Sequence, residues 1–209
     1  MGQRGVEGPG DLGEEQALAT LPEALVGDSV RLRRWTTDHV DELLDAIRVS
    51  LAELRLWLPF ARDVPTVNDE TDVLRESAAR FDAAIDFEYF LFELATDELV
   101  GCAGLHVREA GLAEIGYWVR SDRHRRGYAT DASRLLTSAG FACLPEVDLI
   151  EIRMDQANTA SAGVPSRLGY TRTRSVERDI ITPGHTGIGW VWTMRRADWQ
   201  RAVGQPDAL

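Results

Sequence analysis

The order of strand-like and helix-like patterns constrains the fold of this 209-residue chain more than any other feature of its sequence. An alternating run at residues 30–33 predicts a first strand, and residues 40–51 and 68–85 carry apolar side chains at helical spacing. Three strand-like runs come next, and helices and strands then alternate to the end. These runs are 89–94, 99–107 and 112–119 (strands), 127–143 (helix), 149–154 (strand), 160–168 (helix), and 172–181 and 188–194 (strands). The order βααβββαβαββ predicts one mixed α/β domain with a single core.

Residues 1–28 differ in composition from the rest of the chain. They contain six acidic residues and one arginine, several glycines, and a short apolar patch at Leu18, Leu21 and Leu25. We expect a mostly mobile acidic tail over residues 1–28 that docks briefly at most, followed by one domain over residues 29–209. The tail carries close to half of the formal net charge of −11, so the charge says little about any pocket in the domain.

Charge and residue types exclude several classes of function. An acidic chain without a basic stripe argues against nucleic-acid binding. All 23 basic residues are arginine, so a lysine Schiff base, a biotin or lipoyl arm and a Walker-A lysine are impossible. No apolar run reaches the roughly 20 residues of a membrane span. Cys102 and Cys143 lack metal spacing, as do the four histidines. We therefore expect a cytoplasmic protein with reduced thiols, no metal ion and no membrane contact.

One turn carries the clearest chemical signal. The predicted strand at residues 113–119 runs through an arginine-rich segment to Gly127, where the next helix opens. Free amides and the positive end of the helix dipole favour phosphate at such a position, and a glycine lets the backbone approach the ligand. Arg125 and Arg126 can add charge-assisted hydrogen bonds. The turn predicts a phosphate-binding site, and an ordinary solvated helix start is the alternative.

Together with this turn, several motifs over residues 29–199 resemble the Gcn5-related N-acetyltransferase (GNAT) superfamily. The similarity is greatest to the RimJ/RimL-like branch, which acetylates N-terminal alanines of ribosomal proteins. The family's acetyl-CoA loop reads Arg/Gln-x-x-Gly-x-Gly/Ala, and this chain has His124-Arg-Arg-Gly-Tyr-Ala129, with histidine at the first position. The other matching segments are Asn158-Thr-Ala-Ser161, Arg167, Gly169-Tyr170, Leu56-Trp-Leu-Pro59 and the closing residues 190–199.

The resemblance implies a fold and an acyl donor. The fold is the acyl-CoA N-acyltransferase α/β fold, a mostly antiparallel sheet flanked by helices, in which two parallel strands (here 113–119 and 149–154) splay apart. Acetyl-CoA is the implied donor, with its pantetheine arm in the gap between these strands. The implied contacts are Trp118, Val119 and Arg120 along the arm, Arg125, Arg126, Gly127, Tyr128, Ala129 and Thr130 at the pyrophosphate, and Asn158 and Ser161 on the far side. Arg167 is a further implied contact of the cofactor.

The implied reaction is direct attack of a primary amine on the thioester carbonyl. An α-amine has an ordinary pKa near ~8, so a modest base acting through water is sufficient. Glu114 matches a glutamate that the family often uses and is the candidate general base, with a solvated strand residue as the alternative. Ser161 or Tyr170 is the candidate proton donor to the CoA thiolate. A helix cap or CoA contact is the alternative for Ser161, and core packing is the alternative for Tyr170.

The acceptor amine stays open at this stage. A protein N-terminus and a small amine, such as an antibiotic or a metabolite, both fit the resemblance. Trp57 and Phe60, after the first helix, are candidate acceptor contacts, with core packing as the alternative. An acidic pocket around residues 56–60 and 181–188 would favour a cationic small molecule, and an open groove would favour a peptide. His185 in this region is interpreted as an exposed turn residue.

Two further expectations concern the whole molecule. A non-catalytic acyl-CoA-binding regulatory module on the same scaffold is the rival function, because such a protein would carry the same phosphate-binding turn. The resemblance also suggests a homodimer, since domains of this family often pair through their C-terminal strands.

Overall fold

The computed structural model describes residues 19–109 and 111–204 of the chain. Within these residues, one eight-stranded sheet is flanked by five helices. The strands are β1 (Ala24–Val26), β2 (Val30–Arg34), β3 (Asp86–Glu93), β4 (Leu99–Glu109), β5 (Leu112–Val119), β6 (Leu149–Asp155), β7 (Thr171–Glu177) and β8 (Ile188–Arg195). The helices are α1 (Val40–Trp57), α2 (Val67–Asp82), α3 (Tyr128–Cys143), α4 (Thr159–Arg167) and α5 (Arg196–Val203).

The sheet is mostly antiparallel, with one parallel pair near its centre. Its strand order is β1-β2-β3-β4-β5-β6-β8-β7, and the parallel pair is β5 with β6. The predicted mixed α/β class is confirmed, as is the mostly antiparallel sheet with a central parallel pair. None of the helices in the described ranges is long and apolar enough to cross a membrane.

Two elements were absent from the prediction, and one strand is shorter than expected. β1 lies inside the expected tail and pairs with β2, and nearby Leu21 is buried. Residues 1–18, including Leu18 of the apolar patch, lie outside the described residues. β1 has three residues, and Trp199 is the one buried residue of α5, so neither element shows a periodic spacing of apolar residues in the sequence. The strand expected over 172–181 ends at Glu177.

The two faces of the sheet have different partners, and β5 contributes to both. Ala113 and Ile115 point into the core that contains residues of α3. The intervening positions face α1 and α2, where Trp118 packs against a second cluster that includes Phe90, Phe92 and Cys102. Each face of β5 therefore has its own set of neighbours. The face toward α1 and α2 carries the polar residues described below.

The parallel strands β5 and β6 separate halfway along their length. Their last register partners are Ile115 and Ile152. Beyond that point, and within the described parts of the chain, residues 116–119 pair only with β4, and residues 153–155 pair only with β8. A gap therefore opens between the two strands at Gly116 and widens toward the start of α3. This is the splayed pair that the resemblance implied.

Candidate active site

The turn before α3 exposes a row of backbone amides. Arg125 and Gly127 both adopt left-handed backbone conformations, with φ of 64° and 84°, which turn successive N–H groups toward one side. Among the described residues, no acceptor bonds to the amides of residues 125–130, and Asp131 is the first helical residue to donate, to the carbonyl of Gly127 at 2.9 Å. The start of α3 thus has the geometry of an anion-binding site.

Arginines add positive charge beside these amides. A cleft of about 620 Å³ contains Arg125, Arg134 and Arg167 together with Gly127 and Thr130. Asp28 and Asp131 also line this cleft, and both pair with Arg134. Arg125 and Arg167 form no ion pair with any acid in the described parts of the chain, and Arg167 donates only to the carbonyl of Gly163 at 3.1 Å. Their charges are therefore available to a phosphate ligand.

Two other arginines that the resemblance assigned to the donor are already paired. The Arg126 guanidinium lies 3.4 Å from Glu93, whose carboxylate also accepts a hydrogen bond from the Tyr128 hydroxyl. Arg120 binds Asp45 at 3.3 Å and Asp122 at 3.1 Å. The side chains of Arg126 and Arg120 are consequently oriented by protein carboxylates, while their backbone amides remain at the turn.

Asp131 fixes the start of α3 to the sheet. Its carboxylate accepts hydrogen bonds from the Ser29 amide at 2.7 Å, the Ser29 hydroxyl at 3.0 Å and the Val30 amide at 3.2 Å, and Arg134 donates to it at 2.7 Å. Burial alone would raise the pKa of this carboxyl, but these donors outweigh burial and lower it. The anion-binding turn is therefore held by an ionised, buried carboxylate.

The far side of the gap is formed by the start of α4. Asn158 caps this helix, because its side-chain oxygen accepts from the Ser161 amide at 3.1 Å. The Ser161 hydroxyl donates to the Tyr117 hydroxyl at 3.2 Å, and Tyr117 donates to the Ser161 carbonyl at 2.9 Å. Burial raises the pKa of Tyr117 despite its bond with Ser161. The structure thus adds Tyr117 to the predicted Asn158 and Ser161. Tyr117 lies two positions beyond Ile115, the last residue of β5 that pairs with β6.

Tyr170 lies deeper than the other candidate proton donor. Its hydroxyl is 2.6 Å from the Thr137 hydroxyl on α3, and the side chain is buried. Burial raises the pKa of Tyr170. Within the described residues its hydroxyl has no hydrogen bond with Ser161, so the structure places Tyr170 in the core behind the gap.

Glu114 belongs to a network of ion pairs. Its carboxylate lies 3.3 Å from Arg108 and 3.9 Å from Arg153. Glu151 stands directly opposite on β6 and binds Arg153 at 2.7 Å and Arg174 at 2.8 Å. Two carboxylates at facing positions repel each other, and Arg153 between them offsets that repulsion. Glu114 therefore has two guanidinium groups beside it, one from β4 and one from β6.

The end of α1 meets the segment before β8. The Leu56 carbonyl accepts hydrogen bonds from the Thr182 hydroxyl at 2.7 Å and the Gly184 amide at 3.0 Å. His185 lies 3.2 Å from the Trp57 carbonyl through Nε2 and is buried, so its interpretation as an exposed turn residue was wrong. It is covered because this segment docks on the helix end, a long-range contact that local sequence does not reveal.

An open groove lies between the end of α1 and the segment before β8. It measures about 400 Å³ and lies between residues 55–62 and 180–183. Arg55 and Arg62 supply its charged groups, and no acidic residue lines it among the described positions. Arg55 has one weak acidic contact, Asp63 at 3.5 Å. Trp57 and Phe60 are outside the lining: Gly184 packs on the Trp57 ring, and Phe60 is 51% exposed.

Comparison with known sequences shows which proteins this chain is similar to. A family model described as "Acetyltransferase (GNAT) domain" matches residues 29–171. The uncharacterized N-acetyltransferase p20 of Bacillus licheniformis is 32% identical over 79 residues, which make up 37% of this chain and 44% of that protein. The chain therefore matches less than half the length of this curated relative.

Solved structures share the fold at low sequence identity. RimL, a ribosomal L7/L12 alpha-N-protein acetyltransferase in complex with coenzyme A, has a TM-score of 0.76 at 18% identity, over 85% of this chain and 99% of RimL. The microcin C7 self-immunity acetyltransferase MccE, in complex with acetyl-CoA and AMP, has a TM-score of 0.75 at 16% identity, over 85% and 98%. Mycobacterium smegmatis RimJ in complex with CoA-disulfide has a TM-score of 0.72 at 20% identity, over 84% and 89%.

These matches identify the family. The family model spans more than half of the chain, and RimL shares its fold with a TM-score of 0.76. The chain belongs to the GNAT family of acetyltransferases, and RimL and RimJ are among its structural neighbours.

Proposed function

We propose that this protein transfers the acetyl group of acetyl-CoA directly to a primary amine. One observation carries the proposal: the gap that opens at Gly116 leads to the unpaired amides at the start of α3. The gap is suited to an extended pantetheine arm, and the amides with Arg125 and Arg167 are suited to the phosphates of CoA. CoA or acetyl-CoA is present in the structures of the similar RimL, RimJ and MccE.

The chemistry of the transfer follows from the groups beside the gap. The amine nitrogen bonds to the thioester carbonyl carbon, and the carbon–sulfur bond breaks. Ser161 and Tyr117 share a hydrogen bond at the gap, so their hydroxyls can supply a proton to the departing thiolate. Glu114 remains a candidate for the base that takes a proton from the amine, although Arg108 and Arg153 already neutralise its charge.

Calorimetry and thiol release test this function together. Titration with acetyl-CoA should show binding, and addition of an amine acceptor should release one free thiol for each amine acetylated. Absence of binding at millimolar acetyl-CoA would reject the proposal. Binding without thiol release, over a broad panel of peptides and small amines, would favour the rival regulatory module.

For the acceptor, we propose the N-terminal amine of a peptide whose next residues are acidic. The open groove suits an extended chain, and Arg55 and Arg62 favour negative charge there. A cationic small molecule would be favoured by an acidic pocket, and no acidic residue lines this groove among the described positions. RimL, which is similar in fold, is named as an alpha-N-protein acetyltransferase.

Matched peptides test this acceptor class. Two peptides with the same N-terminal residue should differ in KM, lower for the acidic and higher for the basic sequence, and the difference should shrink with salt. Arg62→Ala should raise KM about tenfold for the acidic peptide. Arg75→Ala, an exposed arginine on α2, is the control and should leave it unchanged. Equal KM values for both peptides in the wild type would contradict the assignment.

We also propose that the protein works in the reducing cytoplasm. Both cysteines are free thiols, and Cys102 is buried. Reduced thiols without disulfide partners are typical of cytoplasmic proteins.

A further inference from the structure

We propose that Glu88 is the catalytic base of the acetyl transfer and that His106 and Asp86 are its positioning residues. This inference rests on the proposed function, because it assigns the proton that the acceptor amine must lose. Glu88 and Asp86 lie on β3 and His106 lies on β4, far in sequence from the motifs of the donor site.

The register of the sheet directs Glu88 toward the opening of the gap. Glu88 pairs with Gly104 on β4, and Gly104 pairs with Gly116 on β5. The Glu88 carboxylate lies over Gly104, where a Cβ atom would overlap it. Gly116, about one strand spacing (~4.8 Å) further on, is the residue at which β5 and β6 separate. Neither glycine places a side chain between the carboxylate and the start of the gap, and His106 Nε2 lies 3.7 Å from the position that a Cβ atom on Gly116 would take.

A line of three side chains ends at this carboxylate. His106 Nδ1 lies 3.0 Å from Asp86 Oδ1, and His106 Nε2 lies 3.5 Å from Glu88 Oε1. Arg80 donates to the other oxygen of Asp86 at 2.6 Å. An ionised Asp86 holds the imidazole with Nδ1–H toward itself and Nε2 toward Glu88, the orienting role that a carboxylate has for histidine in catalytic triads.

The environments of the two carboxyls differ in the way that these roles require. Burial would raise the pKa of Asp86, but the hydrogen bond from Arg80 and the charge of His106 outweigh burial and lower it. Burial raises the pKa of Glu88, Asp86 adds to this, and His106 and Arg108 oppose it. The Glu88 side chain still keeps 22% of its surface exposed, against 12% for Asp86. Glu88 is therefore accessible and a stronger proton acceptor than an ordinary glutamate.

The other charged groups around this face come from four elements. They are Arg80 and Glu70 on α2, Asp86 on β3, His106 and Arg108 on β4, and Glu114 on β5. Arg108 is shared with Glu114 at 3.3 Å, and Arg153 provides Glu114 with a second guanidinium at 3.9 Å. Glu88 forms no ion pair with an arginine among the described residues. Of the two glutamates, Glu88 is the one whose carboxylate is not already neutralised by guanidinium groups.

Glu88 takes one proton from the incoming ammonium group, which leaves a neutral amine. The nitrogen then bonds to the thioester carbon, and the carbon–sulfur bond breaks. The departing thiolate takes the hydroxyl proton of Ser161. A second proton from the amine nitrogen replaces it on Ser161. The proton on Glu88 leaves to solvent, to which 22% of the side chain is exposed. The products are the acetylated amine, CoA thiol and one proton.

Glu88→Gln tests the assignment, with Glu76→Gln on an exposed part of α2 as the matched control. We expect Glu88→Gln to lower kcat at least about 100-fold, to leave KM for acetyl-CoA within about twofold, and to abolish the acidic limb of the pH profile. In the wild type, kcat falls as the pH is lowered because the base must be deprotonated. Gly104→Ala should give a similar loss, since its Cβ displaces only the flexible end of Glu88.

A spectroscopic readout separates this inference from the proposed function. In ¹⁵N-labelled protein, Glu88→Gln should move the Nε2 resonance of His106, and Glu76→Gln should not. A Glu88→Gln variant with wild-type kcat and pH profile, or an unmoved His106 resonance, would overturn the role of Glu88 while acetylation by the wild type stands. A wild type that releases no thiol with any amine would overturn the proposed function and this inference with it.

Discussion

At the scale of single residues, the hydroxyl pair of Tyr117 and Ser161 is our proposed proton donor to the CoA thiolate. Each hydroxyl is hydrogen-bonded to the other residue, at 3.2 Å and 2.9 Å. We expect Tyr117→Phe to lower kcat about tenfold and to leave acetyl-CoA binding unchanged, because it removes a donor without changing the shape of the gap. Tyr170→Phe, which breaks a bond to Thr137 in the core, is the comparison and should mainly lower stability. Stopped-flow thiol release measures the effect on kcat. A large loss of kcat in Tyr170→Phe with none in Tyr117→Phe would assign the proton donor to Tyr170 instead.

The arginines of the donor site make a second prediction at this scale. Arg125→Ala and Arg167→Ala should each weaken CoA binding about tenfold in calorimetry, because each loses one charge-assisted bond to phosphate. Arg126→Ala should weaken it far less, since that guanidinium is held by Glu93. Equal losses for all three variants would mean that general positive charge, rather than position, attracts the ligand.

Individual residues also show where sequence reasoning reaches its limit. Gly127 could be assigned from the turn that opens a helix directly after a strand, and Asn158 and Ser161 were assigned from the short motif that resembles the family. Glu88 and Gly116 are 28 positions apart and meet only through the registers of three strands, which local patterns do not specify. The predicted strand at residues 113–119 did contain Glu114, but the two arginines beside it come from other strands.

At the scale of elements, the junction of β2 with α3 makes a prediction about stability. Asp131→Asn should lower the free energy of unfolding by about 2 kcal/mol at neutral pH, because a buried carboxylate with charge-assisted bonds is lost. The pKa of Asp131 is lowered in the fold, so this stabilisation is present above the ordinary aspartate pKa of about 3.9 and is lost as the pH falls through the lowered value. Urea unfolding of both proteins should therefore differ at pH 7 and converge in acid. A difference independent of pH would contradict this account.

Elements with a clear period were predicted well, and short or irregular ones were not. The helices and the central strands follow from apolar spacing, and their chain order indicates the layer arrangement. β1 has three residues, and only Trp199 of α5 is buried, so their packing partners decide their structure. The splay between β5 and β6 came from family resemblance, because nothing in the spacing of either strand shows where their pairing ends.

At the scale of the whole molecule, the edge strand β7 bears on the proposed homodimer. Among the described residues it pairs only with β8, and all seven of its residues are exposed. Exposed strand edges are usually covered in soluble proteins. We expect sedimentation to give twice the monomer mass, and Val176→Lys on β7 to give the monomer. Val73→Lys on α2 is the matched control. A wild type that sediments as a monomer at micromolar concentration would contradict the dimer.

Charge is also distributed over the whole molecule in a way that its total hides. The net charge is −11, yet arginines line both the donor cleft and the acceptor groove. An acidic protein with two basic entrances attracts anionic ligands locally while it repels them elsewhere. This pattern suits a phosphate-bearing donor and an acidic acceptor, and it explains why net charge alone was a poor guide to the site.

The central claim is direct transfer of an acetyl group from acetyl-CoA to a peptide amine, and mass spectrometry with parallel thiol titration tests it most directly. Incubation of the protein with acetyl-CoA and an acidic peptide should place one acetyl group on the peptide's α-amine for each CoA thiol released, with no acetyl group left on the protein. Tight acetyl-CoA binding with no acetylation of any peptide or small amine would contradict the account and identify a non-catalytic acyl-CoA-binding protein.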